Sequence, residues 1–244
     1  MREVDFSAVP SPCFLLDETL LRRNLAQIRE VAQAAGVEII VALKACAMWS
    51  IFPIIREYVP HATASSLAEA RLVCEELGSK AHTYAPSYTD REIDRLLGCS
   101  SHITFNSLNQ LRRFGAKAAA RGVSCGLRIN PGYSPVETDL YNPCAPGSRL
   151  GIPAEQLPGL PEGVEGLHFH TLCESYPADL ARTLEAVEER FGHLLPRVKW
   201  INMGGGHLMT REGYDRNELV ALLKAFRARH PHLRVILEPG SAFT

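Results

Sequence analysis

A chain of 244 residues is long enough for one large α/β domain or two small ones, and for a substantial core. With 46% apolar and 22% charged residues and a formal net charge of −1, it has an ordinary globular composition without a basic stripe, so neither nucleic acid nor a membrane surface is indicated as a partner. No run approaches the ~20 apolar residues of a membrane span. The N-terminus has no secretory signal, and seven cysteines without a CxxC pair form no closed disulfide framework; the chain reads as cytoplasmic, with reduced cysteines.

In chain order, an N-terminal segment (1–20) leads into short β-branched or apolar runs at 38–45, 61–66, 80–87, 101–107, 124–131, 165–171, 198–206 and 234–242. Between them lie amphipathic stretches such as 66–78, 108–122 and 179–195, with apolar residues at i, i+3, i+4 spacing. Eight strand candidates alternating with helices predict a (β/α)8 TIM-like barrel over 21–244. An open doubly wound sheet is the competitor. The barrel is preferred because polar residues recur at the strands' C-terminal ends: Lys44, Ser65, Ser87, Asn106, Arg128, His170, Gly204–Gly206 and Glu238. A barrel gathers those ends at one mouth.

Two features break the pattern. A Gly/Pro-rich insertion (130–163) follows the fifth strand candidate and is too long for a plain loop, which marks it as functional or as an interface arm. The chain also stops at "EPGSAFT" with no helix after the eighth candidate, where a barrel normally closes with one, so it reads as the front part of a longer protein.

Four stretches carry chemistry. In "EIIVALKACAMW" (38–49) an apolar run ends on Lys44: either the side chain simply reaches water at a strand end, or it is an amine nucleophile able to form an imine with a carbonyl cofactor. In "WINMGGGH" (200–207) three glycines follow a strand, which is either a flexible turn or a phosphate cradle assisted by a following helix N-terminus. In "GLHFHTLCE" (166–174) His168 and His170 share one strand face; such a pair can ligate zinc, or one ring can stack on a planar cofactor. In "VILEPGSA" (235–242) the buried carboxylate of Glu238 needs a partner, either Arg128 or the ring nitrogen of a pyridinium.

An imine-forming lysine, a stacking histidine, a glycine cradle and a carboxylate for a ring nitrogen together describe a pyridoxal 5′-phosphate site. Here the sequence resembles the alanine racemase-like, fold type III decarboxylases (ornithine, arginine and diaminopimelate decarboxylases), and within them the carboxynorspermidine (carboxyspermidine) decarboxylase group. The resemblance rests on "VALKA", on "ETDLYNPCAPGSRLGI" (137–152), and on "HFHTLCE" with "NMGGGH". It implies decarboxylation of a carboxylated polyamine, with Lys44, His170 and Glu238 catalytic. It implies a cofactor held by Lys44, Arg128, His170, Cys173, Gly204, Gly205, Gly206, Glu238 and Gly240. It also implies a homodimer and a C-terminal β-domain absent from this chain. Arg149 sits where relatives have a basic residue. Ser241 in place of an arginine after "EPG", and Ala62 in place of an acid, make simple ornithine a poorer fit. Two other classes stay open: a non-catalytic single-barrel carrier of the same cofactor, and a metal-dependent barrel hydrolase built on His168 and His170.

Overall fold

The structure, a computed structural model, describes Ser7 and residues 9–244, so the first residues of the N-terminal segment (1–6 and 8) lie outside it. Ten short strands alternate with helices: β1 (Glu38–Ile39), β2 (Val41–Ala42), β3 (Ala62–Ala64), β4 (Ala81–Tyr84), β5 (Ser100–Phe105), β6 (Ser124–Asn130), β7 (Ile152–Pro153), β8 (Val164–His168), β9 (Trp200–Asn202) and β10 (Arg234–Leu237). All pairings are parallel, in the order β1-β10-β9-β8-β6-β5-β4-β3-β2, with β7 attached to β6 off this path. β1 and β2 are two parts of one stave interrupted at Ile40. The Ile40 amide donates to the Leu237 carbonyl (2.9 Å) and the Val41 amide to that of His61 (3.1 Å), so the two sheet ends meet and the barrel closes. Every strand candidate of the sequence holds one of its eight staves.

The helices are α1 (Glu18–Ala35), α2 (Phe52–Arg56), α3 (Leu67–Leu72), α4 (Asp90–Gly98), α5 (Leu108–Ala119), α6 (Pro177–Phe191) and α7 (Arg216–Arg229). α1 begins where the Asp17 carboxylate accepts the Leu20 amide (3.0 Å) and ends at Gly36, whose φ of 66° suits glycine. It buries Leu21, Leu25, Ile28, Val31 and Ala35 as one stripe. Arg227 Nη1 donates to the Ala35 carbonyl (3.0 Å) and Arg216 Nη1 to Gln27 Oε1 (3.2 Å), which holds α1 against α7. α1 also packs on β1, beside β10, and so covers the flank where a helix after the eighth strand would lie. The only helical piece in the insertion that follows β6 is a single 3-10 turn (Ala154–Gln156), and no α-helix directly follows the glycine triplet: α7 starts only at Arg216. The helix dipole expected behind Gly204–Gly206 is therefore not there.

Most of the core lies between the strands and the helices. A separate small cluster, Ile40, Trp200 and Ile236, is buried apart from it. The Trp200 indole occupies space that Gly126 and Gly166 leave open: a Cβ at either would come within 2.2 Å of its ring. This end of the barrel, at the strands' N-termini, is filled and tied by hydrogen bonds from Trp200 Nε1 to Ser124 Oγ (2.9 Å) and from Ser124 Oγ to Glu165 (2.6 Å).

Candidate active site

At the opposite end, the turn after β2 places Lys44 in the mouth of a cavity of about 390 Å³, a size suited to a small organic ligand. Lys44 is exposed into that space, and its Nζ stands 3.2 Å from His170 Nε2. The Gly205 amide donates to His170 Nδ1 (3.0 Å). A neutral ring that accepts at Nδ1 carries its proton on Nε2, so the imidazole presents an N–H toward Lys44. The ring is neutral because burial, with Lys44 and Arg128 nearby, holds His170 well below its ordinary value.

Glu238, at the end of β10, is buried and makes no salt bridge with Arg128. Its Oε1 accepts from Asn202 Nδ2 (2.7 Å). Burial pushes its carboxyl above the usual range against the opposing pull of Asn202, Lys44, Thr63 and Arg128. Of the two partners the sequence left open for Glu238, the arginine is engaged elsewhere: Arg128 Nη1 donates to Tyr84 Oη (2.5 Å), and Nη2 to the His170 carbonyl (3.0 Å). Tyr84 Oη donates in turn to Asn106 Oδ1 (3.0 Å), which also accepts the Gly151 amide (2.9 Å). This chain of bonds ties the far end of the insertion to the barrel mouth.

His168 lies next to Arg128 in the β6–β8 register and is buried, yet both of its ring nitrogens lack a hydrogen-bond partner. Burial, with Arg128, His170 and Lys44 nearby, keeps it neutral. Val136, Tyr141, Pro143 and Leu150 bring the insertion into the cavity wall, so this segment forms part of the site. Tyr141, Pro143, Leu150 and Pro86 also line a second cavity of about 900 Å³, which holds Ser87, Asn106, Asp139 and Arg149. The two cavities are therefore neighbours that share an apolar wall.

The glycines sit behind the cavity wall. Gly204 and Gly206 have φ of 70° and 96°. A Cβ on Gly204 would meet His170 Nδ1 at 2.6 Å, and one on Gly205 the Glu238 carbonyl at 2.3 Å, so the triplet lets those two residues approach each other. The amides of Gly204 and Gly205 are directed to Asn202 Oδ1 (2.9 Å) and His170 Nδ1 (3.0 Å). Gly206 lies against Leu172, which lines the cavity. Gly240 packs on Ala45, where a Cβ would come within 2.5 Å of the alanine's, and so sets the turn that carries Lys44. Cys173 is exposed on the cavity rim, and all seven cysteines are free.

Lys44, Arg128, His170, Cys173 and Glu238 therefore meet around one cavity, with Gly204–Gly206 and Gly240 as backing. Thr63, Tyr84 and His168 join them, Asn202 stands behind Glu238, and Ser87 and Asn106 line the outer cavity. Asn202 stands two residues before the triplet in "WINMGGG", and Tyr84 in the same run as Ser87; nothing local distinguishes either.

Ligand atoms of His168, His170 and Glu238 lie within 4.8 Å of one another, which gives the histidine pair the third metal ligand that the sequence did not show. Lys44 Nζ already faces His170 Nε2, however, and the Gly205 amide occupies Nδ1, so neither nitrogen of that ring is left for a metal. An amine at the cavity mouth, a buried carboxylate without a cationic partner and an orphaned neutral imidazole instead fit a carbonyl-bearing ring with a basic nitrogen.

No family profile matches the chain. Over 237 residues it is 50% identical to the carboxyaminopropylagmatine decarboxylase of Synechocystis sp., a match covering 97% of this chain and 61% of that protein. It is 38% identical over 238 residues to the carboxynorspermidine/carboxyspermidine decarboxylase of Campylobacter jejuni, covering 97% and 62%. Over nearly its whole length the chain is thus similar to both decarboxylases. A crystal structure of carboxynorspermidine decarboxylase from C. jejuni, complexed with norspermidine, superposes with a TM-score of 0.88 at 36% identity, over 96% of this chain and 61% of that one. The diaminopimelate decarboxylase of Helicobacter pylori shares the barrel (TM-score 0.82, 17% identity, 98% and 65% covered). Against these decarboxylases the chain spans roughly three fifths of their length. Among its described residues no helix is long and apolar enough to cross a membrane.

Proposed function

We propose that this chain is the cofactor-binding barrel of a pyridoxal 5′-phosphate-dependent carboxy-lyase that converts carboxynorspermidine or carboxyspermidine to norspermidine or spermidine in polyamine biosynthesis, working as a cytoplasmic homodimer. The observation that carries the reading is the meeting of Lys44, His170 and Glu238 around one cavity in a chain similar to decarboxylases of that name.

Lys44 would hold the cofactor through its aldehyde group, His170 would stack on its ring, and Glu238 would pair with its ring nitrogen. Gly206 and the loop at Cys173 would receive the phosphate, with Arg128 fixing the wall between them. When bound, the cofactor supplies an electron sink that lets a carboxylate leave as carbon dioxide. Glu238 would stabilise a proton on the ring nitrogen by charge pairing, and its buried surroundings would strengthen that pairing. His170, locked in one tautomer by Gly205, keeps an N–H directed at Lys44 rather than a second positive charge. The apolar wall of Val136, Tyr141, Pro143 and Leu150 would accept methylene groups. Beyond it the outer cavity takes the rest of a long substrate, with the Asp139 carboxylate available to a distal cation.

The relative at 50% identity is named for a substrate with a guanidinium tail, and the same outer cavity has room for such an end group. A non-catalytic carrier is not favoured, since the curated relatives are named decarboxylases. The test compares carbon dioxide release by the full-length protein from carboxynorspermidine, carboxyspermidine, carboxyaminopropylagmatine, diaminopimelate and ornithine. One of the first three is expected to be preferred; preference for either of the last two overturns the reading.

A further inference from the structure

The one buried ring in the cavity wall that bonds to nothing is His168. It is 2% exposed, lines the cavity, and leaves both nitrogens unpartnered. Its neighbours do not supply the missing bonds: the Tyr84 ring is 5.1 Å away by centroid with its hydroxyl given to Asn106, and the His170 ring is 6.4 Å away with Nδ1 taken by Gly205. Buried polar atoms are almost always hydrogen-bonded, so an orphan facing a cavity points to a missing ligand. The charges around it are mainly positive, Arg128 on the adjacent strand and Lys44 across the mouth, with Glu238 the one acid nearby. A neutral imidazole offering an N–H in such a field is suited to an oxygen anion.

We propose that His168 is a direct ligand of an oxygen anion bound in this cavity, either the phenolate of the cofactor ring or the carboxylate of the substrate. The inference rests on the function proposed above and adds a contact that none of the residues placed there makes. His168 donates its ring N–H to that oxygen, and the oxygen relieves the unpartnered state of the ring.

The experiment uses full-length protein and the variants His168→Leu and His168→Gln, each melted with and without added pyridoxal 5′-phosphate and then titrated with substrate and with the decarboxylated product. Without cofactor, His168→Leu melts at or above the wild-type temperature, because it replaces orphaned polar atoms with apolar ones. If the oxygen is the phenolate, His168→Leu binds cofactor about tenfold more weakly and shifts the pH midpoint of its visible band, with partial rescue by glutamine. If it is the substrate carboxylate, cofactor affinity and spectrum stay as in wild type, while substrate binding weakens by about the same factor and product binding does not. An unchanged spectrum, unchanged cofactor and substrate affinities and a higher melting temperature in the loaded His168→Leu protein overturn the inference. A gain of stoichiometric zinc by wild type but not by the variants overturns it too, in favour of a metal. Wild-type protein that takes up no cofactor overturns the proposed function itself, which separates the two failures.

Discussion

Both ends of the barrel hold a pair of histidines beside an arginine, and the two pairs are finished differently. At the N-terminal end the His82 and His102 rings stack at 3.9 Å; Arg234 Nη2 donates to His102 Nε2 (2.5 Å), and Ser101 Oγ meets its Nδ1 (3.0 Å). Trp200 meets the His102 ring edge-on at 5.4 Å. At the C-terminal end His168 has no partner, Glu238 has no cation, and Lys44 projects into a cavity. Similar residues thus make a plug at one end and a receptacle at the other. What separates them is that the protein itself bonds both ring nitrogens of His102 and neither of His168. A closed end contributes stability, whereas an end with open valences gives some up to be ready for a ligand.

The largest expected effect falls on the open end. Lys44→Ala should abolish the visible absorption of the loaded protein and its turnover while leaving the melting temperature without cofactor near wild type, because the side chain is exposed and bonds only to His170. Visible absorption that survives the substitution, still trappable by borohydride at another lysine, would remove Lys44 from the site. The matching change at the closed end is Trp200→Ala, which empties the space between Gly126 and Gly166 and should destabilise the fold by about 3–5 kcal/mol in a denaturant titration. Its effect on the cofactor spectrum of the molecules that remain folded should be small. A Trp200→Ala protein of wild-type stability would break the contrast between the two ends.

Glu238→Gln comes next and should act on both properties, in opposite directions. Turnover should fall by about 10²–10³, the usual scale for losing one preorganised stabilising group. Stability without cofactor should rise at neutral pH. The carboxyl is held above its ordinary value by burial, so the folded state binds its proton more tightly than the unfolded chain does. Stability is therefore lost as pH climbs from the usual carboxylate range through the raised value, and a neutral amide does not ionise. A drop in melting temperature at pH 7 would show that the Asn202 bond outweighs desolvation.

How much of this was legible in the sequence depended on the range of the signal. The staves show themselves as local apolar runs, and the mouth residues as polar endings of those runs, so Lys44, Arg128, His170 and Glu238 could be gathered once a barrel was supposed. Tyr84 and Asn202 could not, because each matters through a bond to a residue tens of positions away: Arg128 for the one, Glu238 for the other. The glycines show as a motif, but the directions of their amides do not, and two of the three turned inward. The place of α1 was likewise hidden, since a helix at the front of the chain gives no sign that it will cover the flank beside the last strand.

The smallest effect sharpens the closed end by pH. Burial, aided by Arg234 and His61 and opposed by Glu165, lowers His102 from an ordinary 6.5 to about 4, and His82 is lowered too, by burial and then by His102, Arg234 and His61. As pH falls below 6.5 the unfolded chain takes up protons on these rings while the folded one does not, so stability declines down to about pH 4. His102→Gln cannot take up that proton in either state, so its stability should fall less steeply between pH 6.5 and 4, by about 1–3 kcal/mol over the interval. The slope, rather than the absolute stability, is the measure, because glutamine also loses the stacking on His82. His168 and His170 are depressed in the same direction at the open end, so part of the acid sensitivity remains in this variant. Cofactor loading should remove part of that remainder without altering the His102 contribution, since the two ends share no polar contact. A slope identical to wild type in His102→Gln would mean that Arg234 and Ser101 leave the ring free to protonate in the folded state, and the plug would then be no more finished than the mouth.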